Sequence, residues 1–481
     1  MIGVCAVLIN IKITVFNASN KNRGFNLVND MTKGSPTKTI AIFALPMILG
    51  NVFQQLYNIV DSVVVGNYVG SNALAAVGTA FPVTFMGIAV AMGLTMGCSV
   101  VISQLFGAGK IKEMRKAIYT SAIFLLMVSV AVSAIGLVIS GPILRLLNTP
   151  DEIFAASKTY LAIFFGSIVF MFAYNAFSAM FRALGDSKTP LYFLIVATII
   201  NIVLDLLFVI SFGMGVAGVA WATLISQAVS GLLCYIYMVK RVAVLRFEKD
   251  EMAFDKNILK SVVKFGIPSS IQQFIVSFGM LAIQGLVNSY GTDVIAGYTS
   301  ATKIDSIGMM PMMNLSMALS TYVAQNIGAG QIKRVKQGFN STLVITCVIC
   351  LATSALILPF GKNMINMFVD SEASANVIEI GAQYLQVVSA FYILFGIMFT
   401  ANGVLRGSGD LNFFMFISIF NLGVRVAAAY ALAYFIGYEA IWWSIPVGWA
   451  IAASMSLLRY YTGGWKNKAI VGKPPADAAF E

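Results

Sequence analysis

Two aspartates interrupt long apolar runs: Asp61 in ALPMILGNVFQQLYNIVDSVVVG and Asp205 in LIVATIINIVLDLLFVI. A carboxylate at the centre of a membrane-spanning helix costs about 2.5–3.5 kcal/mol on insertion scales, so each needs a partner, water or a task. Amides accompany them. Asn51, Gln54, Gln55, Asn58 and Asp61 or Ser62 recur at helical spacing and share one face, and Asn201 stands four residues before Asp205. Asn175, Ser178 and Thr223 add polar atoms on neighbouring runs. A single amide or threonine of this kind most simply bonds helix to helix. Two acids among several amides in one half of the chain instead suggest an ion pathway. Carboxylate, amide and hydroxyl oxygens suit a hard cation such as Na+ at Asp61, Asn201, Asp205 and Thr223, and a secluded carboxylate can equally hold a proton.

Long apolar helices must position these residues. Of the 481 residues 59% are hydrophobic and 11% charged, and mean hydropathy is +0.85. That composition places the chain in a bilayer. Runs of about 20 apolar residues are needed to cross as helices. Twelve fit, at about 38–66, 73–106, 117–140, 153–181, 189–212, 215–239, 258–288, 294–327, 338–360, 375–404, 411–435 and 439–461. The charged stretch KRVAVLRFEKDEMAFDK, residues 240–256, reads as a linker between lobes at 37–239 and 257–461. Residues 1–36 and 462–481 are the flanking segments. The first thirty residues lack a signal-peptide pattern, and Met31 is an alternative start. With no histidine there is no imidazole relay, and the five cysteines, mostly inside apolar runs, read as buried thiols.

The lobes repeat each other. Gln104, Gly107-Ala108-Gly109 and Ile111-Lys112 return 221 residues later as Gln325, Gly328-Ala329-Gly330 and Ile332-Lys333. Arg182, Gly185 and Asp186 return as Arg406, Gly409 and Asp410. Loops after even-numbered spans carry sixteen basic residues, from Lys110 to Arg406, whereas those after odd-numbered spans carry Arg145, Lys158 and Lys362. The positive-inside rule then puts the even loops and both termini in the cytoplasm. Six spans per half, an even number, make the repeats parallel, an arrangement that rocks around a central cavity. The net charge of +11 therefore matters through its placement and is not read as a nucleic-acid surface.

The second lobe departs from the first in charge. Asn421 and Arg425 keep the spacing of Asn201 and Asp205 and are expected to correspond to them, with arginine in place of the acid. Lys303 and Asp305 on the eighth span either pair near the helix start or line the cavity. Met309, Met310, Met312, Met313 and Met317 supply an adaptable apolar wall.

The twelve parallel spans, the first-span sequence, the duplicated QxxGAGxIK islands and the RALGDSKTP segment resemble the multidrug and toxic compound extrusion (MATE) family across residues 37–461. Asp61 and the Asn201/Asp205 pair are similar to the acidic N-lobe site of its DinF-like branch, with Asn175 and Thr223 as further polar members. A branch with a glutamate in the seventh span and an aspartate in the tenth fits less well. Here those spans offer Gln272, Gln273, Gln284 and a terminal Glu379.

The resemblance implies a monomeric, multi-pass protein of the cell membrane. It would export amphipathic, cationic compounds in exchange for Na+ or H+, with no cofactor and no enzymatic activity. Gln54, Gln55, Asn58, Met309 and Met313 are expected to line the substrate cavity. A lipid-linked glycan flippase of the wider superfamily is the alternative within the same architecture. A channel or receptor is the alternative outside it.

Overall fold

A computed structural model describes residues 29–245, 248, 251–367 and 375–471, and among these no strand occurs. Residues 1–28 with Cys5, linker residues Arg246 and Lys249, and the tail from 472 lie outside the described residues. The first lobe comprises α1 (Pro36–Val64), α2 (Ser71–Gly107), α3 (Ile111–Leu146), α4 (Asp151–Ala183), α5 (Lys188–Leu206) and α6 (Gly215–Arg241). The second comprises α7 (Lys256–Asn288), α8 (Thr292–Gly328), α9 (Ile332–Asn366), α10 (Ala375–Ala390), α11 (Tyr392–Ser408), α12 (Leu411–Ile436) and α13 (Glu439–Thr462).

Ten of these helices are long and apolar enough to cross a membrane, and the pair α10 and α11 makes an eleventh span. The twelfth is α8, whose 37 residues are long enough but whose Thr, Ser, Asn, Gln, Lys303 and Asp305 side chains lower its hydropathy. Protein covers much of that polarity: Asn314, Ser316, Thr321, Gln325 and Asn326 are all buried. The chain is thus a multi-pass membrane protein of twelve spans in two parallel lobes. The tenth span differs from the single helix expected over 375–404. It bends by 51° at Phe391, with no proline at the break.

The repeat is recorded in the backbone. Glycines with positive φ pair across the lobes: Gly109 at 70° with Gly330 at 71°, and Gly185 at 81° with Gly409 at 87°. The first pair turns the chain between α2 and α3 and between α8 and α9, where the left-handed conformation carries little penalty for glycine alone.

These turns meet. A Cβ on Gly107 would fall on the Gln325 carbonyl, and one on Gly328 would fall on the Gln104 carbonyl, so the ends of α2 and α8 cross backbone to backbone. Hydrogen bonds repeat the exchange. Gln104 Nε2 donates to Gly407 O at 3.0 Å, and Gln325 Nε2 donates to Ala183 O at 2.8 Å. The glutamine oxygens accept from Ile470 N and Met31 N, at 2.9 and 3.0 Å.

Elsewhere the lobes adhere through small residues. Gly93 and Gly97 on α2 lie directly against Ser270 and Gly266 on α7. Away from the turns the pattern loosens. Val100–Leu105 and Thr321–Gly328 are buried, whereas Phe81 on α2 and Ile307 on α8 are 62% and 55% exposed. The lobes are closed at the turn end, and exposure rises along both helices away from it.

The linker docks at the same end. Arg115 Nε donates to Val244 O at 2.7 Å and its Nη1 pairs with Glu251 at 3.0 Å. The amide of Glu248 and then Arg115 hold the Glu251 carboxyl below the ordinary value of 4.5. A depressed carboxylate stabilises above its unfolded pKa and ceases to do so as pH falls through the folded one. The linker should therefore stay docked at pH 5 and loosen only below about 4.5. Hydrogen exchange at the Glu248 amide, which donates to the Glu251 carboxylate, measured against pH checks this, and protection lost already between pH 7 and 5 would contradict it.

Gly107→Ala and Gly328→Ala each place a methyl group on a backbone carbonyl of the other lobe. Each should disfavour the closed turn end by about 1–3 kcal/mol, the usual range for overpacking. Spin labels at Lys112 and Lys333 should then report longer separations than in the parent protein. An unchanged distance distribution would mean that the crossing does not set the closure.

Candidate functional site

Asp61, Asn201 and Asp205 come together between α1 and α5. With its amide nitrogen turned toward the acids, Asn201 donates to Asp61 Oδ1 at 3.0 Å and to Asp205 Oδ2 at 3.2 Å. That orientation is assigned from hydrogen bonding, since nitrogen and oxygen occupy the same places. Turned over, the amide presents oxygen to both carboxylates. Three oxygens then converge with no hydrogen among them, an arrangement relieved by a cation or an added proton.

Burial sharpens the demand. Asn201 and Asp205 are 0% exposed, and Asp205 Oδ1 has no hydrogen-bond partner. One amide cannot neutralise two carboxylates, and two negative charges side by side away from water call for a positive one. Among the described residues no group of three His, Cys, Asp or Glu side chains forms a transition-metal cluster. The oxygen-only donor set fits a hard monovalent cation or a proton.

Local backbone geometry distinguishes this region too. Past Asp61, α1 continues into a π-helical turn at Val65–Val69, and past Asp205, α5 continues into another at Leu207–Ser211. The two turns touch. Single π turns inside helices tend to mark functional positions.

The other expected residues divide. Thr223 is joined to α1 through Tyr57, whose hydroxyl donates to Thr223 Oγ1 at 2.9 Å. Tyr57 precedes Asp61 by one helical turn, and that spacing was the signal by which the sequence could have revealed it. Tyr160 on α4 is a second aromatic within electrostatic reach of both acids. Asn175 donates to Met171 O in its own helix, at 2.9 Å, and contributes no bond to the acids. Asn58 donates to Gln55 Oε1 at 3.3 Å, and Asn51 reaches across to Asn314 on α8 at 3.1 Å. Gln54 is half-buried on α1, and of the α8 methionines Met309 is half-buried and Met313 is 45% exposed.

The second lobe is not a copy. The offset that aligns Gly185 with Gly409 carries Asn201 onto Arg425 and Asp205 onto Ala429. Arg425 thus stands one helical turn from the position that spacing alone suggested. Its Nε and the Asn421 Oδ1 are buried without partners. Asp305 does not pair with Lys303. Its carboxylate accepts from Tyr392 at 2.6 Å and from Tyr384 at 3.0 Å, one tyrosine from each arm of the bent tenth span.

Known proteins share this plan. A family model described as MatE matches residues 46–207 and 268–431, one match in each lobe. The chain is 33% identical to the probable multidrug resistance protein YpnP of Bacillus subtilis, over 91% of this chain and 97% of that one. Identity to the multidrug export protein MepA of Staphylococcus aureus is 24%, covering 88% and 93%. The structure matches a solved outward-facing conformation of a multidrug resistance MATE family transporter with a TM-score of 0.86 and 26% identity. That match covers 93% of this chain and 100% of the other.

Asn201→Ala removes the donor shared by two buried acids and should destabilise by about 1–3 kcal/mol, the cost of unsatisfied buried groups. Asn175→Ala should cost less, since the Asn175 amide bonds only within its own helix. Thermal unfolding of both variants in detergent checks the order, and a larger loss for Asn175→Ala would invert the site's assignment.

Proposed function

This chain belongs to the MatE family, and on that premise we propose that it is a secondary active multidrug exporter coupling drug efflux to inward movement of Na+ or H+ through Asp61, Asn201 and Asp205. The observation that carries the coupling site is Asp205 Oδ1, a fully buried carboxylate oxygen with no donor, beside a second carboxylate. That oxygen gains most from an arriving cation.

Sidedness follows from the loops. The basic residues cluster in the loops at the turn end, which supports a cytoplasmic position for that end and both termini in a protein of the cell membrane. Closure there, with the lobes parted at the other end, is an outward-facing state. In it an external cation reaches the acids, while drug occupies the cleft lined by Gln54, Gln55, Asn58, Met309 and Met313.

Cation binding draws the carboxylates and Asn201 together and repacks α1 against α5, which alters the wall that drug touches. A ligand shifts a conformational equilibrium only by its differential affinity for the two states, so mutual exclusion of cation and drug is what couples the flows. Drug leaves outward, the lobes rock so that the α2/α8 crossing at the turn end opens, and the cation is released inward. One net charge moving through 100 mV contributes about 2.3 kcal/mol, enough for roughly fifty-fold accumulation. Exchange of a monovalent cation for a monovalent cationic drug is electroneutral and draws on the ion gradient alone.

Asp61→Asn and Asp205→Asn should each yield folded protein that no longer couples export to an ion gradient. Proteoliposomes carrying an Na+ gradient or a pH gradient, each applied alone, separate the two coupling ions for the parent protein. Parent-level, gradient-driven export by either variant at matched protein density would refute the assignment.

A further inference from the structure

Lys303 is the twelfth of the 37 residues of α8, within the stretch that spans the membrane, is exposed, and has no ion pair or side-chain hydrogen bond among the described residues. The nearest acid in sequence, Asp305, is buried and occupied by Tyr384 and Tyr392. A charge at this depth without a protein partner is expected to face water or ligand rather than lipid.

The face it occupies can be fixed. Lys303, Ile307, Met310 and Asn314 follow at i, i+4, i+7 and i+11 and share one side of the helix. Asn314 marks the direction of that side by accepting the Asn51 amide from α1 in the other lobe. Lys303 therefore looks across the cleft at the first lobe.

Its depth can be fixed as well. Thr37 near the start of α1 bonds Ser341 beside the turn end, and α8 finishes at that end, so α1 and α8 run antiparallel. From the Asn51–Asn314 contact, Asp61 lies ten residues onward and Lys303 eleven residues back. At 1.5 Å per residue both are about 15–17 Å from the contact, on the side away from the turn end. The acid pair and the lysine thus stand at one level on opposite walls. Arg425, with its buried and unpartnered Nε, adds a second positive group to the same lobe.

We propose that Lys303 binds the anionic group of the substrate, and that the cleft selects zwitterionic amphiphiles, holding a carboxylate at Lys303 and directing a cationic nitrogen toward the Asp61 wall. This rests on the exporter reading above and narrows its substrates from cationic compounds to those bearing both charges. Ammonium and carboxylate form a charge-assisted hydrogen bond, stronger than a neutral one in a secluded cleft.

The test compares two probes on purified full-length protein in nanodiscs at neutral pH: a zwitterionic fluoroquinolone and the monocation tetraphenylphosphonium. Lys303→Gln should weaken fluoroquinolone binding by about tenfold or more, the scale of one hydrogen bond to a charged group. It should tighten tetraphenylphosphonium binding, because a repelling charge has gone. Lys303→Arg should restore the parent order. Lys303→Met, close in volume and uncharged, repeats the comparison should the glutamine variant fold poorly. Both probes weakening together would indicate a structural lysine, and neither moving would indicate a solvated one. Either result overturns the proposal. Gradient-driven efflux separates this from failure of the exporter reading. Lys303-dependent fluoroquinolone binding without any driven export refutes the exporter and upholds the site. Driven export of tetraphenylphosphonium by a protein that neither binds nor exports fluoroquinolone refutes the site alone.

Discussion

The crossing of α2 and α8 at the turn end is the contact on which the rest of the architecture depends. Gly107 and Gly328 let two helix ends approach until each backbone lies on the other's penultimate turn, and Gln104 and Gln325 then reach into the opposite lobes. Glutamine suits the position because it is donor and acceptor at once. Each amide nitrogen serves the last turn of a helix, Gly407 in α11 or Ala183 in α4, while each oxygen takes the amide of a flanking segment, Ile470 or Met31. Helix-terminal carbonyls have no partner within their own helix, so water can replace glutamine when the lobes part. The exchange costs only about 0.5–1.5 kcal/mol per bond. A closure held this way is specific in geometry and still within reach of ligand binding energies.

Around that symmetric crossing the two lobes keep their backbones alike and their charges unlike. Gly185 and Gly409 adopt the same left-handed turn, yet the helices they open carry Asn201 and Asp205 in one lobe and Arg425 and Ala429 in the other. Asp305, a buried acid of the second lobe, lies on α8 and both its oxygens are bonded to tyrosines. The acids of each cluster bond to side chains of their own lobe, so charge can change lobe by lobe while glycine turns and helix crossings hold the register. The scaffold's two-fold symmetry and the asymmetry of its sites thus answer to different constraints.

The sequence showed what depends on composition and local pattern. Asp61, Asn201 and Asp205 were legible because polar groups in apolar runs are costly, and the paired glycine turns were legible because left-handed backbone selects the residue type. Partners distant in the chain were not. Nothing local says that Gln325 bonds Ala183, or that Tyr57 connects Thr223 to α1. The Asn175 side chain bonds its own helix, and sequence cannot distinguish such an asparagine from one that reaches outward. The bend at Phe391 carries no proline to announce it. Arg425 corresponds to Asn201 and not to Asp205, because i, i+4 spacing fixes a face and leaves the register open.

The proposed coupling requires that events at Asp61 be felt at the turn end, and α1 is the element that touches both. Its first turn is held there through Thr37 and Ser341, and the segment just before it through Met31 and Gln325. Asn51 bonds the second lobe midway, and Asp61 lies beyond. Between the two anchors sits Pro46, which has no amide hydrogen for the Ile42 carbonyl and weakens the helix at that point. A cation drawing Asp61 toward Asp205 therefore loads a helix whose base is fixed to the opposite lobe and whose weakest turn lies near that base. Motion of the upper part strains the Asn51–Asn314 bond first, on the wall where Lys303 and Met310 face the cleft. The same displacement that neutralises the acids thus reshapes the surface that a substrate would occupy, which is the differential contact that exchange of cation for drug demands.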